Sequence, residues 1–226
     1  CFFEIFFQYQ YKHIYYCKEY MQLSEFTYIF LALCVPFFAY IIKSTEPKKG
    51  FSILFSAVIA MNIFLYMNQF SYIGAFFLAM YLNLFKRSEK LYLLFLSFIS
   101  FALGAYTLVG QTLFMSALPI MMVSSVFSLM MIGHWFLVDP TISRDGMKNT
   151  ALFSTYLSIG ISILVFSGLY ESSSSLFNLI STNMLNNIII FLYLFAALLS
   201  FGSYKSLQEK SYTCLLYTSD AADERN

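Results

Sequence analysis

Few side chains in this sequence could do chemistry, and the densest group of them is Gly133-His134-Trp135-Phe136-Leu137-Val138-Asp139-Pro140. His134 is the only histidine between residues 21 and 212. Imidazole ordinarily titrates near neutral pH, so this position could exchange a proton or hold a polar headgroup. Trp135 is the only tryptophan in the chain, a residue type that gathers at membrane–water boundaries. Asp139 followed by Pro140 fits a helix cap with proline at the first helical position. Two readings stay open here: an interfacial anchor beside a helix-end histidine, with Asp139 as the cap of a short helix, and a proton relay or headgroup site that uses His134. One histidine does not suffice for bis-histidine haem, a haem–copper centre or a zinc site built from several histidines. Cys34 is the only cysteine in the same stretch, which excludes a disulfide framework or cysteine metal site there. No metal site or cofactor is expected.

A second polar group lies at Asn178, Thr182, Asn183, Asn186 and Asn187, where Asn183 and Asn187 share a helix face at i, i+4. The expectation is a bundle-facing hydrogen-bond cluster, or a helix that starts later, near Met184, ahead of a ligand site. Asn62 and Asn83 are isolated and are expected to satisfy a neighbouring helix. No Asp, Glu, Lys or Arg falls near the middle of any apolar stretch, so the buried charges typical of proton-coupled transporters are missing. No catalytic constellation is visible. Ser154, Ser158 and Ser162, with Ser100/Gly104 and Ser124/Ser128, form small-residue stripes that let helices approach closely.

The elements that must position these residues follow from composition. With 59% hydrophobic, 20% aromatic and 11% charged residues, the chain has too few charges to cover a soluble domain, where about 25% is usual. Lipid is the expected solvent. The net charge of +1 is uninformative as a total, and no basic run suggests a nucleic-acid partner; none is expected. The apolar stretches predict an all-α, polytopic transmembrane helical bundle of about seven spans, at 26–42, 51–67, 70–85, 91–109, 112–138, 150–170 and 176–201. Pro119 is expected to bend the fifth of these, or that helix to tilt. Residues 51–85 exceed one span, and the polar pair Asn68-Gln69 splits them into a hairpin. In that division Lys43, Lys48, Lys49, Lys86, Arg87, Lys90, Arg144, Lys148, Lys205 and Lys210 all face one side, while the turns at Asn68, Gly110 and Glu171 carry no basic residue. Short cytoplasmic loops concentrate Lys and Arg, which puts the amino end outside and the carboxyl end in the cytoplasm.

The segment G-H-W-F-L-V-x-P resembles one in uncharacterised bacterial seven-helix membrane proteins that carry G-H-W-Y-L-V-x-P. Thr182 to Tyr193, TNMLNNIIIFLY, is similar to a degraded form of a second segment of that group. The resemblance implies a helical bundle in the bacterial inner membrane and no particular activity. At the carboxyl end, Cys214 to Glu224 (CLLYTSDAADE) resembles, residue for residue, a translated transposase adapter from DNA sequencing libraries, which implies that residues 213–226 are not native. At the amino end, Met21 reads as a start. Residues 1–20 are then upstream read-through or an interfacial segment.

Three function classes follow: a structural or accessory subunit of a membrane complex, with the bilayer and other membrane subunits as partners; a small transporter or channel for a neutral or apolar solute; and a membrane redox or lipid- or quinone-linked enzyme using His134. The first is preferred because no catalytic group is visible. It leaves no catalytic residue to name, with His134, Trp135, Asp139, Asn183 and Asn187 as the candidate functional residues.

Overall fold

The computed structural model describes residues 22–45, 47–83, 90–110, 112–139, 142–168 and 182–208. Every regular element among them is helical: α1 Leu23–Thr45, α2 Lys49–Ala60, α3 Asn62–Leu65, α4 Gln69–Asn83, α5 Leu91–Val109, α6 Thr112–Val138, α7 Asp145–Phe166 and α8 Thr182–Gln208. Five of them, α1, α5, α6, α7 and α8, are long and apolar enough to cross a membrane. The protein is a membrane-embedded helical bundle. The expected terminal segments, 1–20 and 213–226, the turn at Glu171 to Ser175 and Asn178 lie outside the described residues.

Local chemistry sets two of the helix ends. α1 starts where the Gln22 backbone N–H donates to Glu25 Oε2 at 3.1 Å, half of a capping box. α5 stops at Gly110, whose φ of 67° only glycine adopts without strain, and whose N–H bonds Tyr106 O at 2.8 Å. The expected hairpin is present: the chain turns at Tyr66 to Asn68, and α4 begins at Gln69. Its first arm is interrupted at Met61, however, and divides into a 12-residue and a 4-residue helix. Its second arm has 15 residues, or ~22 Å at 1.5 Å per residue, short of a ~30 Å hydrocarbon core. The described residues thus hold five helices long enough to cross a membrane and a shorter helical hairpin.

Several boundaries differ from expectation, most of all those of the last two helices. The sixth stretch is helical from Asp145 rather than Thr150, because its acidic first turn suits the positive end of the helix dipole and Lys148 reaches Asp145 at 3.6 Å. The last helix begins at Thr182 and runs past Phe201 to Gln208, with Lys205 in its final turn, where a cation is favoured. α6 continues through Pro119 as a single helix.

α1 is the hub. It packs on α5, α6 and α7, and its Tyr28, Phe38 and Val35 are fully buried with Phe51 and Phe55 of α2, Phe101 of α5 and Ile132 of α6. Small residues set the close approaches. Gly104 gives way to the Tyr28 hydroxyl, and Gly74 lies under the Phe101 ring, where a Cβ would stand 2.9 Å from Cε1. Hydroxyls stitch the same seams: Ser97 donates to Gly74 O at 2.9 Å, Tyr28 and Ser71 share a bond of 2.9 Å, and Ser125 and Ser154 one of 2.8 Å. Ser154, Ser158 and Ser162 are all buried, so the stripe faces inward as its spacing predicts. α7 and α8 run antiparallel, since Ile161 and Val165 near the end of one meet Ile189 and Ile190 near the start of the other.

The contacts also place the charges. The start of α1 meets the start of α4 through Tyr28 and Ser71, and Asn68 donates to Thr107 near the end of α5 at 3.2 Å. The end of α1 meets the start of α7, where Gly146 packs on Ser44 and Thr45. Lys43, Lys48, Lys49, Arg144 and Lys148 therefore gather at one end of the bundle, and the turn at Asn68 lies at the other.

Candidate functional site

At the basic end, the α1–α2 turn and the segment that links α6 to α7 enclose a cleft of about 410 Å³, lined by Lys43, Ser44, Thr45 and Lys48 on one side and by Asp139, Ile142 and Ser143 on the other. Each wall has a local cause. α1 ends in KST, ahead of Pro47, which cannot donate a backbone hydrogen bond and so favours a turn. The Thr45 hydroxyl donates back to Ile41 O at 2.7 Å, and that of Ser44 to Tyr40 O at 2.8 Å, which seals the last turn of the helix. On the other wall α6 ends at Val138, with the Asp139 N–H still bonded to Trp135 O at 2.9 Å.

Asp139 is the pivot of the cleft. It is 5% exposed, and Lys48 Nζ forms an ion pair with its Oδ2 at 3.0 Å. A buried carboxylate needs such a cation, because burying it alone would still cost on the order of several kcal/mol after relaxation and water penetration. Lys48 itself is largely exposed, so water screens the pair and its net contribution to stability is small. Ser143, exposed, accepts a bond from the Asp145 N–H and donates to Asp145 Oδ2, both at 3.3 Å. Arg144 lies over the Phe136 ring at 5.2 Å, and Asn149 donates to the Tyr40 hydroxyl at 2.8 Å. The Asn149–Tyr40 bond ties the start of α7 to α1, and the Arg144–Phe136 contact ties the linker to α6.

The candidate residues separate in space. Of the histidine-centred group only Asp139 lines the cleft, where it partners Lys48; among the described residues the next helix starts at Asp145. Pro140 itself lies outside the described residues. His134 is exposed on the side of α6 and does not line the cleft. Trp135 is half-buried and turns toward α2. Its ring meets Phe51 at 5.9 Å between centroids and lies against Gly50, where a Cβ would stand 2.8 Å from the indole. Its Nε1–H is buried without a hydrogen-bond partner among the described residues.

The asparagine group also changes character. Asn183 and Asn187 share the backbone face that their spacing predicts, but Asn187 is exposed and points away from the bundle. The inward residues of α8 are Ile189, Ile190, Tyr193, Ala196 and Ala197, which pack on α7 and α6, so apolar burial decides the rotation of the helix and leaves the amide outside. The side chain of Asn183 lies outside the described residues. Asn62 is fully buried at the α2–α3 break with neither amide atom paired among the described residues, so it does not satisfy a neighbouring helix as expected.

Sequence reasoning missed Lys43, Lys48 and Ser143 as a set. Each read as a loop residue, and 91 residues separate Lys48 from Asp139 along the chain, so only a fold could join them. The available signal was an acidic residue at the end of an apolar stretch with lysines at the end of another. Among the described residues no group of three or more His, Cys, Asp or Glu could hold a metal ion. Neither a family model, nor a curated protein sequence, nor a solved structure matches this chain, so the role of the basic cleft has to follow from its own residues.

Proposed function

We propose that this protein is a structural or accessory subunit of a complex in a bacterial inner membrane, with its basic end in the cytoplasm, and that it docks through the outer face of α8. The observation that carries this reading is the one-sided packing of α8. It rests chiefly on α7, and its other face leaves Asn187, Phe191, Leu194, Phe195 and Leu198 exposed. Lipid covers the apolar part of such a face without a partner. The Asn187 amide is different, because a polar group at the rim of the hydrocarbon layer is stabilised by a hydrogen bond from a second helix, by about 0.6 to 2 kcal/mol.

The other two classes have less support. A passage for solute through the main seam would have to cross Tyr28, Phe38, Phe55, Phe101 and Ile132, all fully buried in contact with one another. An enzyme built on His134 would need other groups around the imidazole, and the polar cleft nearest to it in sequence does not include it.

Site-specific photo-crosslinking in intact cells tests the proposal. A photoreactive residue at Leu194 or Leu198 is expected to give a discrete protein adduct, and one at the exposed Tyr92 of α5 is expected to give lipid adducts alone. Lipid adducts alone at all three positions would overturn the subunit reading.

A further inference from the structure

We infer that the cleft at the basic end binds a phosphate-bearing anion, either the headgroup of an anionic glycerophospholipid or a free phosphate. The proposal is independent of any partner on α8. Its first support is the charge that the cleft presents. Asp139, the only acidic residue of the lining among the described residues, is buried and has Lys48 on its Oδ2 at 3.0 Å. Lys43 has no acidic partner among the described residues, so its ammonium remains for a ligand, and the Ser143 hydroxyl opposite would join it by turning from Asp145 Oδ2, to which it donates at 3.3 Å. The carbonyls that end α1 oppose an anion here, and Lys43 in the last turn of that helix offsets them.

The second support is construction and place. The two walls come from segments far apart in sequence, and they are held by the Lys48–Asp139 pair and by Gly146, which lies against Ser44 and Thr45 with no room for a side chain. The cleft therefore exists before a ligand arrives. Its volume of about 410 Å³ is within the range of small-ligand pockets and accepts a phosphate with its glycerol ester. It opens at the end of α1, a helix long and apolar enough to cross a membrane, which is the depth of headgroup phosphates. Basic pockets between membrane helices are recurrent sites for anionic headgroups.

The test is a binding titration on the full chain in detergent, with dihexanoyl phosphatidylglycerol, dihexanoyl phosphatidylcholine and inorganic phosphate as probes. The wild-type protein is expected to bind phosphatidylglycerol in preference to phosphatidylcholine. Lys43→Gln should weaken that binding about fivefold, the size expected of one lysine near an anionic headgroup, while Lys43→Arg retains it. Lys205→Gln removes the same charge from the same end of the bundle outside the cleft, and should change nothing. Preference for phosphatidylglycerol over inorganic phosphate identifies a lipid headgroup as the source, and equal binding of the two identifies free phosphate; both support the site. Equal loss in Lys43→Gln and Lys205→Gln, or equal binding of the two lipids, would overturn it. Should Lys43→Gln elute as an aggregate, Ser143→Ala, at an exposed hydroxyl, decides: unchanged affinity there counts against the cleft.

Discussion

α1 and α8 are nearly alike as sequences and opposite as parts. Both are long, strongly apolar and almost free of charge, yet half of the apolar stretch of α1 is buried inside the protein and only 11% of that of α8. The difference lies in what each meets. α1 is clasped by glycines, serines and aromatic rings from α2, α4, α5, α6 and α7, whereas α8 leans chiefly on α7 and shows bulky side chains to its surroundings. In lipid, apolarity alone does not draw one helix to another, because the tails are as apolar as leucine. Close fit and hydrogen bonds do.

Substitutions can break that contrast. Phe38→Ala should have the largest effect. The ring is fully buried and stacks on Phe55 at 4.7 Å, so its loss is expected to destabilise the folded protein by ~3–5 kcal/mol in a reversible unfolding titration. A loss below 1 kcal/mol would show that the α1 seam is not the core. Gly104→Ala comes next, at ~1–3 kcal/mol, because the added methyl meets the Tyr28 hydroxyl and the buried ring has to shift. Unchanged stability would mean that the seam has slack that the packing does not show.

The smaller effects sharpen the comparison. Tyr28→Phe removes one hydrogen bond to Ser71 while keeping the ring, and about 0.5–1.5 kcal/mol is expected from the same titration. Leu198→Ala on the outer face of α8 should change stability by less than ~0.5 kcal/mol, as surface substitutions do. A cost comparable to that of Phe38→Ala would show that α8 is enclosed by something else in the purified protein. Stability should then depend on protein concentration if the cover is a second copy.

The fold was legible where the signal was local. The boundaries of α5 and α6 agree with the sequence to the residue, since glycine and polar residues bracket both apolar stretches. The hairpin followed from length and from Asn68-Gln69. The start of α7 was missed because the charges of DPTISRDGMKN read as loop, although Asp145 and Lys148 belong to a first helical turn. The cleft was not legible at all, and one of its residues, Asp139, was assigned a local capping role.

Hydropathy and the placement of Lys and Arg, properties that each residue carries alone, determined that this chain is a membrane bundle, roughly where its helices run and which turns share an end. Which helix is central, which way Trp135 and Asn187 face, and which lysine meets Asp139 were decided by tertiary structure. Those outcomes depend on pairs of surfaces that fit one another, such as Gly104 with Tyr28 or Gly50 with Trp135, and the complement of each residue lies far along the chain. An apolar pattern gives a helix its environment; only packing against a particular neighbour fixes its rotation and place.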